Sequence, residues 1–361
     1  MDRCVSTPGK LFLCGEYAVL WGGSALIAAV GPRLAGAMRL RSNSEVHIVS
    51  PSGRLRGLLT PIGVTWDQAI SAPFLFAARG VEEAVRAAGA KTSAGFELFL
   101  GPSARSPSGE KLGLGGSAQV ALVSVELARR AFRASFDTLK VALLAHYKAQ
   151  TKGGSGGDVA AIHAGGLVRY RRYPLDRLES ASALGQLPSA LADSPPVWLE
   201  RLEARNLRLS FAHTGKSSST LEQIKAVESK LSAGQRQNVT QQSDRLAQDL
   251  ERALLADDFQ ALGGAVEKLQ RLLSTLGALE TDNIRDVLAI AARHGAAGKI
   301  SGAGAGDGCV LFSPDEDTER RMLAALKEAG FWACSLSLET GMQREEEPSS
   351  TLRQLIEKSG G

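Results

Sequence analysis

Short runs that alternate or stay apolar, at 37–41, 46–50 and 96–100, predict strands over the first hundred residues, with Gly, Pro and Ser between them. One helix interrupts them: Pro73 suits a first helical turn, Phe76, Val81, Ala84 and Val85 follow at mostly helical spacing, and Gly89 stops it. Apolar stripes of helical period predict two further helices, 118–132 and 136–150, before a strand at 167–173. A stretch rich in Ser, Ala, Pro and Asp, 179–196, reads as a loop and as the boundary between two units. Beyond it a strand at 207–212 leads into four helical patterns with charged faces, 218–231, 236–255, 257–276 and 282–294. Strands at 308–312 and 333–338 then enclose a helix at 317–329, and the charged tail from Glu345, split by Pro348, predicts a short surface helix. This α+β order, without strict βαβ alternation, argues against a doubly wound nucleotide-binding sheet. It predicts two domains: 1–180, mixed α/β, and 195–361, helix-rich α+β.

Composition supports that count, because 361 residues of which 44% are apolar and 22% charged bury enough surface for two cores. The net charge of +4 is too small for a broad nucleic-acid-binding face, so no nucleic-acid partner is expected. Pro8, Lys10, Glu16 and Gly22-Gly23 break the N-terminal apolar stretch before a signal-like core forms, and no uncharged apolar run is long enough for a membrane span. Cys4, Cys14, Cys309 and Cys334 lie far apart with no CxxC pair, which speaks against a zinc ribbon or a disulfide framework and for a reduced, cytoplasmic setting. A monomer or homodimer is expected. Glycine changes the picture: 39 glycines in 361 residues exceed the usual share of roughly 7%. They gather at 9–23, 113–116, 153–157 with 165–166, and 295–308, beside predicted elements, which points to turns or ligand loops instead of linkers.

The most informative cluster is Lys111-Leu-Gly-Leu-Gly-Gly-Ser-Ala-Gln-Val120, a glycine turn that runs into an apolar-striped helix. A helix start leaves amides unpaired and partly positive, and glycines let an anion approach them, so a phosphate fits there. Ser117 at the helix entrance offers a hydroxyl to a phosphate-bound Mg²⁺, or it is a plain N-cap serine. Gly113-x-Gly115-x-x-Ala118 is not a dinucleotide fingerprint, because residues 106–111 are polar and charged where a buried strand should run. Ser210-x4-Gly215-Lys216-Ser217 resembles a Walker A loop, but its first glycine is a serine and no βαβ unit follows. The run Lys299-Ile-Ser-Gly-Ala-Gly-Ala-Gly-Asp-Gly-Cys309 packs no core by itself and is either a flexible hairpin or backbone laid against a ligand.

Three segments together resemble the motifs of the GHMP kinase family of small-molecule kinases: Thr7-Pro-Gly-Lys-Leu-Phe-Leu-Cys-Gly-Glu-Tyr-Ala-Val-Leu20, Gly113 to Ala118, and Lys299 to Asp307. They come in that family's order, over residues 6–312, with Gly116 standing where many members have a first serine. The resemblance implies the two-domain GHMP fold with the active site in the cleft between the domains. It also implies ATP and Mg²⁺ as cofactors, with Lys111, Gly113, Leu114, Gly115, Gly116, Ser117 and Ala118 on the ATP phosphates and Ser117 at the metal. Lys10 and Asp158 are the implied catalytic pair, Lys10 neutralising the transferring group and Asp158 holding Lys10 and facing the acceptor oxygen.

Within the family, Gly154-Ser-Gly-Gly-Asp-Val-Ala160, Glu16-Tyr17 and Gly306-Asp307 are similar to the phosphomevalonate kinase branch, which implies a phosphorylated acceptor, phosphomevalonate. A dianionic acceptor needs cations, and Lys152 and Lys216 with Ser217 are the candidates from the sequence. Tyr17, Ser155, Gly156, Ala303 and Gly304 complete the expected substrate contacts. Since a phosphate monoester is mostly deprotonated at neutral pH, Asp158 is expected to orient more than to remove a proton.

Overall fold

The computed structural model describes residues 4–89, 94–107, 109–204, 206–215, 220–306 and 308–359. The chain starts as a long hairpin, β1 (Cys4–Cys14) against β2 (Ser24–Leu40). Its first strand escapes the sequence pattern for a physical reason: all of its residues but Lys10 are buried, so it shows no alternation between a wet and a dry face. A register shift between Thr7 and Gly9 falls at Pro8, which has no amide to offer the ladder.

The sheet grows through β3 (Glu45–Ser50), β4 (Gly53–Thr60) and β5 (Gly63–Trp66). After α1 (Leu75–Ala88) comes β6 (Phe96–Leu100), which inserts between β2 and β3 and runs parallel to the latter. Three helices follow, α2 (Gly116–Ala131), α3 (Thr138–Ala149) and α4 (Gly157–Ala164), and then β7 (Leu167–Arg171) pairs with β2. Val81, Val85, Val123 and Leu127 of α1 and α2 pack on Ile48, Phe96 and Leu98 of the sheet.

The expected loop at 179–196 is a correction. It holds α5 (Asp176–Ala183) and α6 (Leu187–Ala192), which bury Leu178, Leu187 and Leu191. Helices of six to eight residues are too short to display a helical period, and their folding here depends on that burial.

The two stretches 1–180 and 195–361 do not each own one sheet. β8 (Leu199–Leu202) pairs with β7, and after the second sheet is built the chain returns to the first. That second sheet comprises β9 (Arg208–His213), β10 (Ala297–Ser301), β11 (Gly308–Ser313) and β12 (Trp332–Leu336), all antiparallel in the order β10-β11-β9-β12. Around it lie α7 (Thr220–Glu228), α8 (Ala233–Ala256), α9 (Phe259–Ser274), α10 (Asp282–Arg293) and α11 (Glu316–Glu328). Ser232, Asp258, Thr281 and Asp315 cap α8 to α11 by accepting backbone N–H bonds, each contributing about 1 kcal/mol.

β13 (Gln343–Glu345) then pairs with β1, and α12 (Ser350–Lys358) buries Leu352 against Cys4, Ala37 and Phe99. The tail helix is thus anchored to the first sheet. Leu11, Leu13, Leu26 and Ala28 of the opening hairpin share one core with Leu209, Leu250 and Val266 of the second unit. No helix of the described residues is long and apolar enough to cross a membrane.

Candidate active site

α2 begins at Gly116 because Gly115 takes a left-handed conformation (φ 88°, ψ 24°) that turns the chain from the loop into the helix. The amides of residues 116–118 therefore have no acceptor within the helix, and the helix dipole adds partial positive charge at the same point. The loop is sewn to β1: the Lys10 amide donates to Leu114 O (2.9 Å), its ammonium donates to Gly113 O (2.8 Å), and Gln119 Nε2 donates to Thr7 O (3.1 Å). Half-buried on β1, Lys10 also carries its ammonium 5.5 Å from the centre of the Phe12 ring.

From the other side, Asp158 enters in the first turn of α4, a favourable place for a carboxylate, and its Oδ1 accepts the Val159 amide (2.9 Å). Its Oδ2 lies 3.5 Å from Nε2 of His146, which in turn lies 3.1 Å from Ser117 Oγ. Burial lowers the basicity of His146, with Asp158 pulling the other way.

These groups border a cavity of about 740 Å³ that gathers Lys10, Tyr17, Lys111, Ser155, Asp158 and Ala303, together with the loop from Gly113 to Ser117. Lys10, Arg105 and Lys111 give it positive charge, and the carboxylate of Glu16 is met by the fully buried ammonium of Lys299. A second cavity of about 630 Å³ has the opposite character: Asp257, Asp258, Asp315 and Glu316 line it with Arg208, so it repels phosphates.

The structure leaves other expected residues outside the cavity. Ala118 is fully buried in α2, and Gly156 is closed in by Leu143 and Tyr170. Gly304 faces Leu279, whose Cβ would lie 2.9 Å from a side chain placed there, so that glycine serves packing against the 276–280 turn. The Lys152 ammonium pairs with Glu179 of α5 at 2.6 Å and does not line the cavity. Lys216, Ser217 and Asp307 lie outside the described residues.

Tyr17 is 2% exposed, and its hydroxyl donates to Ala303 O at 2.6 Å. Burial and Glu16 push that hydroxyl above its ordinary pKa, so it remains a donor and secures the 302–306 loop. Tyr17→Phe leaves a buried carbonyl unpaired, at about 1–3 kcal/mol, and is expected to raise the acceptor KM by about tenfold in steady-state assays. An unchanged acceptor KM would remove Tyr17 from the site.

Sequence reasoning missed His146, Ser103, Arg105 and the Glu16–Lys299 pair. His146 sits in the apolar stripe of α3 and reads there as core. Ser103 carries no motif, yet it explains Gly116: a Cβ at 116 would meet Ser103 Oγ at 3.1 Å and Cβ at 3.2 Å, so the space for a serine there is taken by a hydroxyl from the neighbouring loop.

Mg²⁺ suits this donor set. Among the described residues no cluster of three or more His, Cys, Asp or Glu forms a protein cage, whereas Mg²⁺ in nucleotide sites is held by one or two side chains plus phosphates. Ser117 Oγ, beside a phosphate-ready helix start, would be such a side chain. Cys14 and Cys309 are inert by comparison, since burial pushes both thiols up to about 12.

Residues 250–331 match the family model described as "GHMP kinases C terminal". The chain is 25% identical over 350 residues to the mevalonate kinase of Thermococcus sibiricus, covering 91% of this chain and 94% of the relative. It is 28% identical over 344 residues to the phosphomevalonate kinase of a Streptomyces species, covering 87% and 90%. Among solved structures, Streptococcus pneumoniae phosphomevalonate kinase in complex with phosphomevalonate and AMPPNP superposes with a TM-score of 0.74 at 21% identity, covering 95% of this chain and 99% of that one.

Proposed function

From a chain that carries the GHMP kinase fold and a C-terminal segment of that family, we propose an ATP-dependent kinase of the mevalonate route that converts 5-phosphomevalonate to 5-diphosphomevalonate. The observation that carries this reading is the convergence of Lys10, Ser117 and Asp158, from β1, α2 and α4, on one positively lined cavity beside a phosphate-ready helix start.

An oxygen of the acceptor phosphate attacks the γ-phosphorus of ATP, the bond to the β-phosphate oxygen breaks, and ADP leaves. The protein's contribution is position and charge. The amides of 116–118 and the loop from Gly113 take the ATP phosphates, and Lys10 stabilises the charge that spreads over the transferring oxygens. Ser117 and the phosphates together would hold Mg²⁺, which supplies further charge neutralisation when bound. Pro51, Pro73 and Phe76 form an apolar end of the cavity suited to the adenine ring. Arg105 supplies a cation that a doubly charged acceptor requires and a neutral alcohol does not, while Lys111 stays with the ATP phosphates.

Three relatives named mevalonate kinase favour mevalonate, an alcohol acceptor, as the second reading. A coupled ADP-release assay on mevalonate, 5-phosphomevalonate and 5-diphosphomevalonate separates them. We expect kcat/KM for 5-phosphomevalonate to exceed that for mevalonate by about a hundredfold, because cations built for a phosphate are left unpaired by an alcohol. A preference for mevalonate would overturn the assignment, and CO₂ release from 5-diphosphomevalonate would make the enzyme a decarboxylase. Asp158 is a positioning group in this scheme, so the pH profiles of kcat/KM for wild type and Asp158→Asn are expected to run parallel. An acid limb present in wild type and absent from the variant would instead make Asp158 the base.

A further inference from the structure

The transfer chemistry above makes no use of His146, although its imidazole stands between two of the groups that do the work. The ring is 2% exposed and packs 5.1 Å, centre to centre, from the ring of Phe76. A histidine serving only to fill α3 has no need to aim one nitrogen at a hydroxyl on α2 and a carboxylate on α4. Here Nε2 lies 3.1 Å from Ser117 Oγ and 3.5 Å from Asp158 Oδ2.

The chemistry of the three groups limits what that nitrogen does. Burial favours the neutral ring, which carries one hydrogen on one of its two nitrogens. With the hydrogen on Nε2 the ring donates, and a carboxylate oxygen of Asp158 is its natural acceptor. With the hydrogen on Nδ1, Nε2 accepts, and the Ser117 hydroxyl is the donor of the pair. One nitrogen cannot serve in both ways at once.

Resting on the kinase reading, we propose that His146 is a positioning residue whose shared Nε2 couples the nucleotide side of the cavity to the acceptor side. When the lone pairs of Ser117 Oγ face the phosphate side, the hydroxyl hydrogen points at Nε2, and the ring hydrogen resides on Nδ1. Asp158 is then released from the ring to pair with Lys10, which takes up its charge and removes its repulsion of the dianionic acceptor. With the nucleotide side empty, Nε2–H holds Asp158 back. Nucleotide and acceptor therefore strengthen each other's binding through the exchange of one hydrogen bond.

The test has two arms. In long-range proton–nitrogen spectra of the histidine rings, the His146 signals are assigned by their loss in His146→Gln. They are expected to show hydrogen on Nε2 in the ligand-free wild type and on Nδ1 after addition of AMPPNP with Mg²⁺; an unchanged tautomer overturns the proposal. This arm uses no acceptor and no turnover. In the second arm, calorimetry measures acceptor affinity with and without AMPPNP and Mg²⁺. Wild type is expected to show a coupling of about 5- to 150-fold, His146→Phe less than about twofold, and His146→Gln, which keeps a donor and an acceptor near the place of Nε2, a partial return. Equal coupling in wild type and His146→Phe overturns the proposal. If His146→Phe does not fold, the tautomer arm and His146→Gln decide. Failure of the kinase reading itself has a separate signature: no ADP release by wild type with any of the three acceptors.

Discussion

Lys10→Met is expected to lower kcat by about a thousandfold while changing the KM for ATP by less than about fivefold. The asymmetry follows from how the residue is built into the site. Its backbone amide, which methionine keeps, ties β1 to the loop through Leu114 O. Its aliphatic stem, which methionine largely reproduces, packs under Gly115, so the loop proposed to receive the ATP phosphates retains its support. What disappears is the ammonium that reaches Gly113 O and stands over Phe12 beside the cavity. A fixed positive charge in a partly dehydrated cavity stabilises the transition state more than the bound substrate, so its loss belongs in kcat. Steady-state kinetics with a thermal melt as the folding control measures this. A fall of less than about tenfold in a folded variant would show that Lys10 does not touch the transferring group.

Gly115→Ala should damage the other half of the site and give a different pattern, raising the KM for ATP by about a hundredfold with a smaller loss in kcat. Two costs combine at this position. The backbone sits at φ 88°, where a side chain costs about 1–2 kcal/mol. The added Cβ would also lie 2.9 Å from Lys10 Cγ and 3.1 Å from Ile162 Cδ1, so relief requires the loop or the lysine to move. Gly330→Ala separates strain from contact: its φ is 86°, nothing lies within 4 Å of the added methyl, and it follows α11 remote from the cavity. We expect that variant to lose stability while keeping the wild-type KM. Equal kinetics for the two alanine variants would mean that the loop at 113–116 takes no part in holding ATP.

Much of the proposed site was legible because the glycine clusters that the sequence singled out border one cavity. A glycine turn feeding a helix is contiguous in sequence, and Ser117 and Asp158 each stand in such a stretch, while Lys10 stands beside Gly9 in β1. The residues that escaped are joined by distance. His146 reaches Ser117 across 29 positions and Lys299 reaches Glu16 across 283, so no window along the chain contains either relation. Tyr17 borders the cavity, as the sequence reading expected, and what only the fold shows is that its hydroxyl is bound to Ala303 O. Lys152 shows the same limit from the opposite direction. A lysine beside a glycine turn looks free for a phosphate until α5, unrecognised in its loop-like composition, brings Glu179 to it.

The first unit's architecture divides the same way. Helices with one wet face declared themselves through their period, whereas β1 and most of β2, dry on both faces, carried no period to read. The sequence by itself determined the α+β class and the glycine loop at 113–116 with the helix that follows it, since each depends on residues a few positions apart. Only the tertiary structure decided which loops meet in the 740 Å³ cavity, that β8, β13 and α12 return to the first sheet, and which candidate side chains are already committed to partners. Local propensity acts through neighbouring bonds, but a side chain's availability is set by whatever the rest of the chain packs against it.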